Sequence, residues 1–226
     1  MNDFTIAALF DMDGVLVDNY RYHADSWVQF AARYERTVTP EQYARYINGR
    51  VASDSMPYVM QRDLLPDEIV TLTEEKEEIY RALYAPDLAP TPGLIPFLQS
   101  LQAHKVRMAV GTSAPVSNIA FTLDGAGIRP YFPTVVDASM VRRGKPDPEI
   151  YLTAARQLGV PPERCVVFED AFSGIEAGLR AGMAVVALAT THTRDELAVA
   201  KAQLVIDDFT QLTYEGLVRL VEGNWH

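Results

Sequence analysis

Residues 5–18 read Thr5-Ile-Ala-Ala-Leu-Phe10-Asp11-Met-Asp13-Gly14-Val-Leu-Val-Asp18. The first six residues make a short, almost continuous apolar run, which is the pattern of a strand covered on both faces of a parallel sheet. Two carboxylates follow at once, two residues apart, and along extended chain that spacing sends both to one side. Carboxylates that close repel, which favours either a protonated partner or a bound cation. The simpler alternative is an ordinary Asp-Gly turn with solvated carboxylates. A calcium loop is excluded: counted from Asp11, the sixth position is Leu16 instead of glycine and the twelfth is Tyr22 instead of glutamate.

Similar apolar runs recur at Val106–Val110, Thr134–Val136, Cys165–Phe168, Ala184–Leu188 and Leu204–Ile206. They alternate with helical patterns at Leu94–Ala103, Val116–Ala126, Glu149–Leu158 and Ser173–Ala181. This βαβ rhythm predicts an α/β fold, a parallel sheet flanked by helices. Gly127, Gly159 and Gly182 each sit just past one of the helices, where a left-handed cap is wanted. The stretch from about Asn19 to Asp87 breaks the rhythm. It holds no buried-strand run and shows helical spacing instead, with stripes at Trp27, Phe30, Ala31 and Tyr34, at Met56, Val59 and Met60, and at Ile79 and Leu83. Each stripe reads as core-facing. The expectation is an inserted all-helical cap of four helices at residues 18–88, closed by the proline-rich Tyr84–Gly93 linker, within a core formed by residues 1–17 and 89–226.

The 226 residues are 48% hydrophobic and 22% charged, ample for a folded core and too apolar for a disordered tail. Thirty acidic against twenty basic residues give a formal charge of −10, the wrong sign for holding nucleic acid or anionic lipid. No apolar run approaches the roughly 18 residues of a membrane span. Met1-Asn2-Asp3 lacks the basic lead-in of a signal peptide. The single cysteine, Cys165, suggests no disulfide framework, so the cytoplasm is the expected compartment.

Ligands of open parallel sheets gather beyond the carboxyl ends of the strands. Besides Asp11 and Asp13, three further strand exits carry polar groups. Val110-Gly-Thr112-Ser113-Ala-Pro115 precedes a helix, where a hydroxyl and backbone N–H groups can take a phosphate or merely cap the helix. Arg143-Gly-Lys145-Pro-Asp-Pro148 is a rigid turn presenting a lysine, a residue that in a turn is usually just solvated. Phe168-Glu169-Asp170-Ala-Phe-Ser173-Gly174 carries a second acidic pair, whose alternative use is helix capping by Asp170 or Ser173. Each signal is modest alone.

In chain order, Asp11-x-Asp13-Gly14, Thr112, Lys145-Pro146 and Glu169-Asp170 resemble the four motifs of the haloacid dehalogenase superfamily of phosphotransferases, over nearly the whole chain. The insertion point of the helical segment is similar to that of the β-phosphoglucomutase-like branch. The resemblance implies a Rossmann-like core and phosphoryl transfer through an aspartyl-phosphate on Asp11. Mg²⁺ would be held by Asp11, Glu169, Asp170 and the backbone carbonyl of Asp13, an oxygen-only set that suits a hard cation. Asp13 would serve as the acid and base, with Thr112 and Lys145 clamping the phosphoryl oxygens. Asp11, Glu169 and Asp170 sum to −3, and Mg²⁺ with Lys145 to +3, so the vacant site is neutral only with both cations present.

Ser113, His23, Arg50 and Lys76 are the candidate substrate contacts. An exposed helical histidine is an equal reading of His23, and Lys76, following Glu74 and Glu75, reads equally as one charge on a solvated face. In the cap loop Asn48-Gly-Arg-Val-Ala-Ser53, the arginine that β-phosphoglucomutases carry three residues after the glycine is replaced by Ala52, while Arg50 directly follows Gly49. Losing a bidentate guanidinium weakens the hold on a bisphosphate intermediate. The expectation is a Mg²⁺-dependent phosphatase of a small phosphorylated metabolite, a sugar or polyol phosphate, supported by the likeness of Ala189-Thr-Thr-His-Thr193 to the same stretch of small sugar phosphatases. A β-phosphoglucomutase is the alternative. A phospho-aspartate receiver is more distant, being about half this length and without a helical insert. For partners, the expectation is a monomer that binds a small phosphorylated metabolite.

Overall fold

The computed structural model describes residues 5–223; Met1-Asn2-Asp3, read as lacking a basic lead-in, lies outside them. The chain forms two compact units, one of Met1–Asp18 with Ala89–His226 and one of Asn19–Leu88. In chain order, β1 (Ala7–Phe10) comes first, and the smaller unit then supplies α1 (Tyr20–Arg33), α2 (Pro40–Gln42, continued by a π-turn over Tyr43–Ile47), α3 (Ala52–Met60) and α4 (Pro66–Tyr84). The larger unit resumes with α5 (Leu94–Ala103), β2 (Arg107–Gly111), α6 (Val116–Gly125), β3 (Thr134–Val136) and α7 (Glu149–Leu158). It continues with β4 (Cys165–Glu169), α8 (Phe172–Arg180), β5 (Ala184–Leu188), α9 (Arg194–Leu197), β6 (Leu204–Ile206) and α10 (Tyr214–Val221).

All six strands pair in parallel in the order β3-β2-β1-β4-β5-β6. Continuous apolar runs form these strands because both faces are covered. Ala8, Phe10, Val166, Phe168 and Val186 point to the side packed by α5, α6 and α10, while Ala7, Leu9, Cys165, Val167 and Val185 point to the side packed by α7, α8 and α9. Phe10 stacks on Phe168 at 4.6 Å between ring centroids, and Phe97 and Phe209 close the cluster. Burying one such ring stabilises the fold by about 1.5–3 kcal/mol. The apolar run Thr5–Phe10 becomes strand only from Ala7, where pairing with Arg107 of β2 and Cys165 of β4 begins. Helix α7 ends on Gly159 at φ 66°, the left-handed cap for which a missing Cβ is wanted.

The chain leaves β1 for β2 on one side and returns for β4 on the other, so the strand order reverses beside β1. In open α/β sheets that reversal leaves a crevice beyond the carboxyl ends of the two strands, and here Asp11 and Glu169 stand at its lips. The two chain crossings that flank the insert are tied within the larger unit. Val17 and Pro90 form an antiparallel bridge, and the Thr91 hydroxyl donates to the Val15 carbonyl at 2.7 Å.

The smaller unit has its own core. Trp27, Phe30 and Ala31 of α1 pack with Met56, Val59 and Met60 of α3 and Leu72 and Ile79 of α4, so the stripes read from the sequence are core stripes and Trp27 is only 8% exposed. The second helical segment is a single α turn opened by the Thr39–Gln42 capping box, which widens into the π-turn instead of a regular helix.

Candidate active site

Asp11 directly follows β1, and its backbone N–H donates to the Phe168 carbonyl at 2.9 Å, continuing the β1–β4 ladder by one residue. That register sets Asp11 beside Glu169, the last residue of β4. Lys145 arrives from the turn before α7. Its loop is shaped by its own carboxylates: Glu149 accepts the N–H groups of Arg142 and Arg143, each at 3.1 Å, and Asp147 accepts that of Glu149 at 3.1 Å. So held, the Lys145 ammonium donates to Asp11 and to Glu169, each at 2.6 Å. Its side chain is 9% exposed, so it is not a solvated turn lysine.

Glu169 is engaged through both oxygens. Oε1 accepts from Lys145 and from the Tyr151 hydroxyl at 2.7 Å, and Oε2 accepts from the Asp170 and Ala171 N–H groups at 3.0 and 3.2 Å. Asp170 accepts from the Thr191 hydroxyl, and the Thr190 hydroxyl donates to the Gly14 carbonyl at 2.5 Å. The loop after β5 thereby joins the site. The capping use of Asp170 and Ser173 is not seen, because α8 starts after Ala171 with no side-chain cap. Likewise Thr112 does not cap α6, whose cap position is Pro115; its buried Oγ1 instead accepts the Ala114 N–H at 3.0 Å, in the turn beyond β2. Ser113 beside it is exposed, and Asp13 is half-buried two residues past Asp11.

Burial dominates the electrostatics. It pushes the Asp11 carboxyl from 3.8 up to about 7, with Glu169 and Asp13 adding to the rise and Lys145 opposing it. Burial, then Glu169 and Asp11, push Asp170 well above the usual carboxylate range, and Tyr151 is held protonated far above its ordinary value by burial and by the same anions. Burial is the larger cause throughout, and the repulsion of the neighbouring carboxylates adds to it. Lys145 offsets one of the three carboxylates, which leaves −2.

A divalent cation fits that deficit. Among the described residues, Asp11, Glu169 and Asp170 form a buried group able to hold a metal ion, with one oxygen of each lying within 4.8 Å of the others. The chemistry of the donors, carboxylate oxygen throughout, selects a hard ion. Two glycines keep the cluster open: a Cβ on Gly174 would lie 1.7 Å from Glu169 Oε1, and one on Gly14 would lie 2.0 Å from Asp170 Oδ2.

The remaining candidates lie in the smaller unit. His23 is stacked on Tyr80 with centroids 3.9 Å apart, and its Nδ1 lies 3.0 Å from the Lys76 ammonium. Lys76 is 3% exposed and paired with Glu77 at 3.0 Å, so it is not a charge on a solvated face; that face is made by Glu75 with Arg33 and by Glu74 with Arg81. Arg50 is exposed and donates to the Arg45 carbonyl at 3.4 Å. Tyr151, Thr190 and Thr191 are the site residues that the sequence reading left without a role. Tyr151 sits on the buried stripe of an amphipathic helix, where a hydroxyl gives no signal that separates it from core.

The match of a family description to residues 7–182 places the chain in the haloacid dehalogenase-like hydrolase family. Among relatives, the phosphorylated carbohydrates phosphatase of Thermotoga maritima is 32% identical over 78% of this chain and 82% of its own. Hexitol phosphatase A of Escherichia coli is 32% identical over 91% of this chain and 92% of its own. The crystal structure of β-phosphoglucomutase from Clostridium difficile aligns with a TM-score of 0.82 at 26% identity, covering 97% of this chain and 98% of that one. No helix among the described residues is long and apolar enough to cross a membrane.

Proposed function

We propose that the protein is a Mg²⁺-dependent phosphatase that hydrolyses a small phosphorylated metabolite, a sugar or polyol phosphate, through a phosphoryl group carried on Asp11. The observation that carries this reading is the convergence of Asp11, Lys145, Glu169 and Asp170 at the strand-order reversal, with Lys145 2.6 Å from two of the carboxylates. Among relatives, those named for phosphorylated carbohydrates and for hexitols support the substrate class.

A carboxylate that attacks a phosphate dianion meets repulsion, so positive charge must stand where the transferred oxygens sit. Lys145 supplies one such charge. Asp11 and Asp170, with the carboxylate of Glu169 alongside, would hold Mg²⁺, which when bound neutralises charge on the transferring oxygens. An Asp11 oxygen bonds to phosphorus as the ester P–O bond breaks, and Asp13 gives its proton to the departing oxygen. Asp13, now ionised, takes a proton from water as that water attacks the phosphorus, which frees inorganic phosphate and restores the Asp11 carboxylate. Thr112 and the N–H groups of its turn, with Ser113 nearby, receive the phosphoryl oxygens. His23, Arg50 and Lys76 of the helical unit are proposed to select the rest of the substrate.

A β-phosphoglucomutase is the second reading, favoured by the likeness to the Clostridium difficile enzyme. The absence of an arginine at Ala52 weighs against it. Phosphate release from a panel of phosphorylated sugars and polyols, with and without Mg²⁺, tests the proposal. Release that needs Mg²⁺ and is lost in Asp11→Asn supports hydrolysis. Conversion of β-glucose 1-phosphate to glucose 6-phosphate without free phosphate, primed by the 1,6-bisphosphate, would favour the mutase.

A further inference from the structure

A cleft lies at the end of the parallel sheet away from Asp11, where β2 begins. It has a volume of about 400 Å³ and is bounded by the ends of α5 and α7 and the turn before β3, which puts it within the range of about 300–1,000 Å³ that small-molecule sites occupy. In a chain of formal charge −10, the lining is cationic: among the described residues Lys105 and Arg107 stand in it, and no aspartate or glutamate does. No carboxylate of the described residues pairs with either one. A guanidinium has five N–H donors, of which Arg107 gives one to the Leu158 carbonyl. We propose that this cleft is a binding site for a nucleoside monophosphate, with the phosphate on Lys105 and Arg107 and the base against Tyr131.

The backbone singles out Lys105. It takes the left-handed position just past α5 at φ 60°, a conformation that strains a residue with a side chain. Helices α6, α7 and α8 give the same position to Gly127, Gly159 and Gly182. Such strain clusters where a side chain has a use, and what Lys105 brings to the cleft is its charge. The carbonyl ends of α5 and α7, which would repel an anion, are covered. The Lys105 and Val106 N–H groups donate to the Gln102 and Leu101 carbonyls at 3.0 and 2.9 Å, those of Gly159 and Val160 donate to Arg156 and Ala155, each at 3.1 Å, and Arg107 takes Leu158. Tyr131, half-buried between prolines, gives one wall a ring, and buried Val106 and Met108 give an apolar floor. A flat base stacks on such a surface. Gln102 on α5 and Gln157 on α7 each offer amide donors and an acceptor to its polar edge. A sugar phosphate would use the two cations and leave ring and floor without a partner, so the observations favour the nucleotide.

Heteronuclear NMR of the full chain in metal-free buffer, titrated with AMP, GMP, CMP and UMP in turn, tests the site without turnover. At least one nucleotide is expected to bind with a Kd below about 1 mM and to shift the backbone amides of residues 105–108, Tyr131 and Gln157, while those of Asp11 and Thr112 stay in place. Inorganic phosphate alone and the matching nucleoside alone are each expected to bind about tenfold more weakly, or less. Lys105→Gly removes the cation and supplies the residue that the backbone angle favours. Affinity is therefore expected to fall about tenfold in that variant, with Tm no lower than in the wild type. The proposal is overturned if none of the four nucleotides binds, if the shifts centre on Asp11 and Thr112, if phosphate or the nucleoside alone binds as tightly as the nucleotide, or if Lys105→Gly keeps the wild-type Kd. None of these results depends on which ester the protein hydrolyses, so loss of this site and loss of the phosphatase reading are told apart.

Discussion

The Lys145 ammonium stands 2.6 Å from Asp11, a residue 134 positions earlier in the chain. The contact is made by topology. β1 and β4 are neighbours, the turn before α7 overlooks their ends, and Asp147 and Glu149 fix that turn by taking its own N–H groups. Removing the lysine leaves a buried cluster of anions with no internal counter-charge.

Lys145→Ala is therefore expected to lower kcat about 100- to 1,000-fold and to cost about 3 kcal/mol or more of stability in metal-free protein. Phosphate release and urea unfolding at pH 7.5 check both. Restoration of much of the lost stability by Mg²⁺ would show that the two cations balance the same charges.

Metal binding should strengthen as pH rises. Asp11 is raised from 3.8 to about 7, so the folded metal-free protein holds this proton more tightly than the unfolded chain does. The resulting stabilisation is complete below about pH 4 and is lost as pH climbs through about 7. Mg²⁺ must displace that proton at low pH. Isothermal titration should give an affinity on the order of tenfold weaker at pH 5.5 than at pH 7.5, and the rise in Tm with Mg²⁺ should shrink in step.

Gly174→Ala should lower activity sharply, because its Cβ would lie 1.7 Å from Glu169 Oε1 and push that carboxylate away from Lys145. Gly14→Ala adds backbone strain to a clash, with φ at 72° and Asp170 Oδ2 2.0 Å from the new atom. Gly144→Ala is the control: it has nothing within 4 Å and should leave Tm and kcat near wild type.

Thr191→Val removes the hydroxyl that donates to Asp170. The expected result is Mg²⁺ affinity about tenfold weaker, with Thr191→Ser close to wild type. Equal affinities for Val and Ser would remove the threonine from the site.

Cys165 lies at the start of β4 with no exposed surface, and burial pushes its thiol up to about 12. A thiol reagent at pH 8 should leave the native protein unmodified and label it once urea unfolds it.

Much of this was legible in the sequence for physical reasons that can be named. The strands of a doubly covered sheet must be apolar throughout, so Cys165–Phe168 and Ala184–Leu188 announce themselves, and the acidic pairs stand out because they end such runs. Register cannot be read that way: whether Asp11 meets Glu169 depends on which strands are neighbours. Tyr151 was hidden because its ring does serve the core and only its hydroxyl serves the site. Thr190 and Thr191 were hidden because hydroxyls in a loop carry no period. Lys76 looked solvated beside Glu74 and Glu75, yet a helix turns about 100° per residue, and that rotation takes Lys76 inward to Glu77 and His23.

Quenching the enzyme during turnover of a phosphorylated sugar in Mg²⁺ and mapping the phosphoryl group by mass spectrometry tests the role of Asp11 most directly. One phosphoryl group on the peptide holding Asp11, absent from an inactive Asp11→Asn variant, is the predicted result. Phosphate release persisting in Asp11→Asn, with no phosphoryl group found on wild-type Asp11, would contradict it.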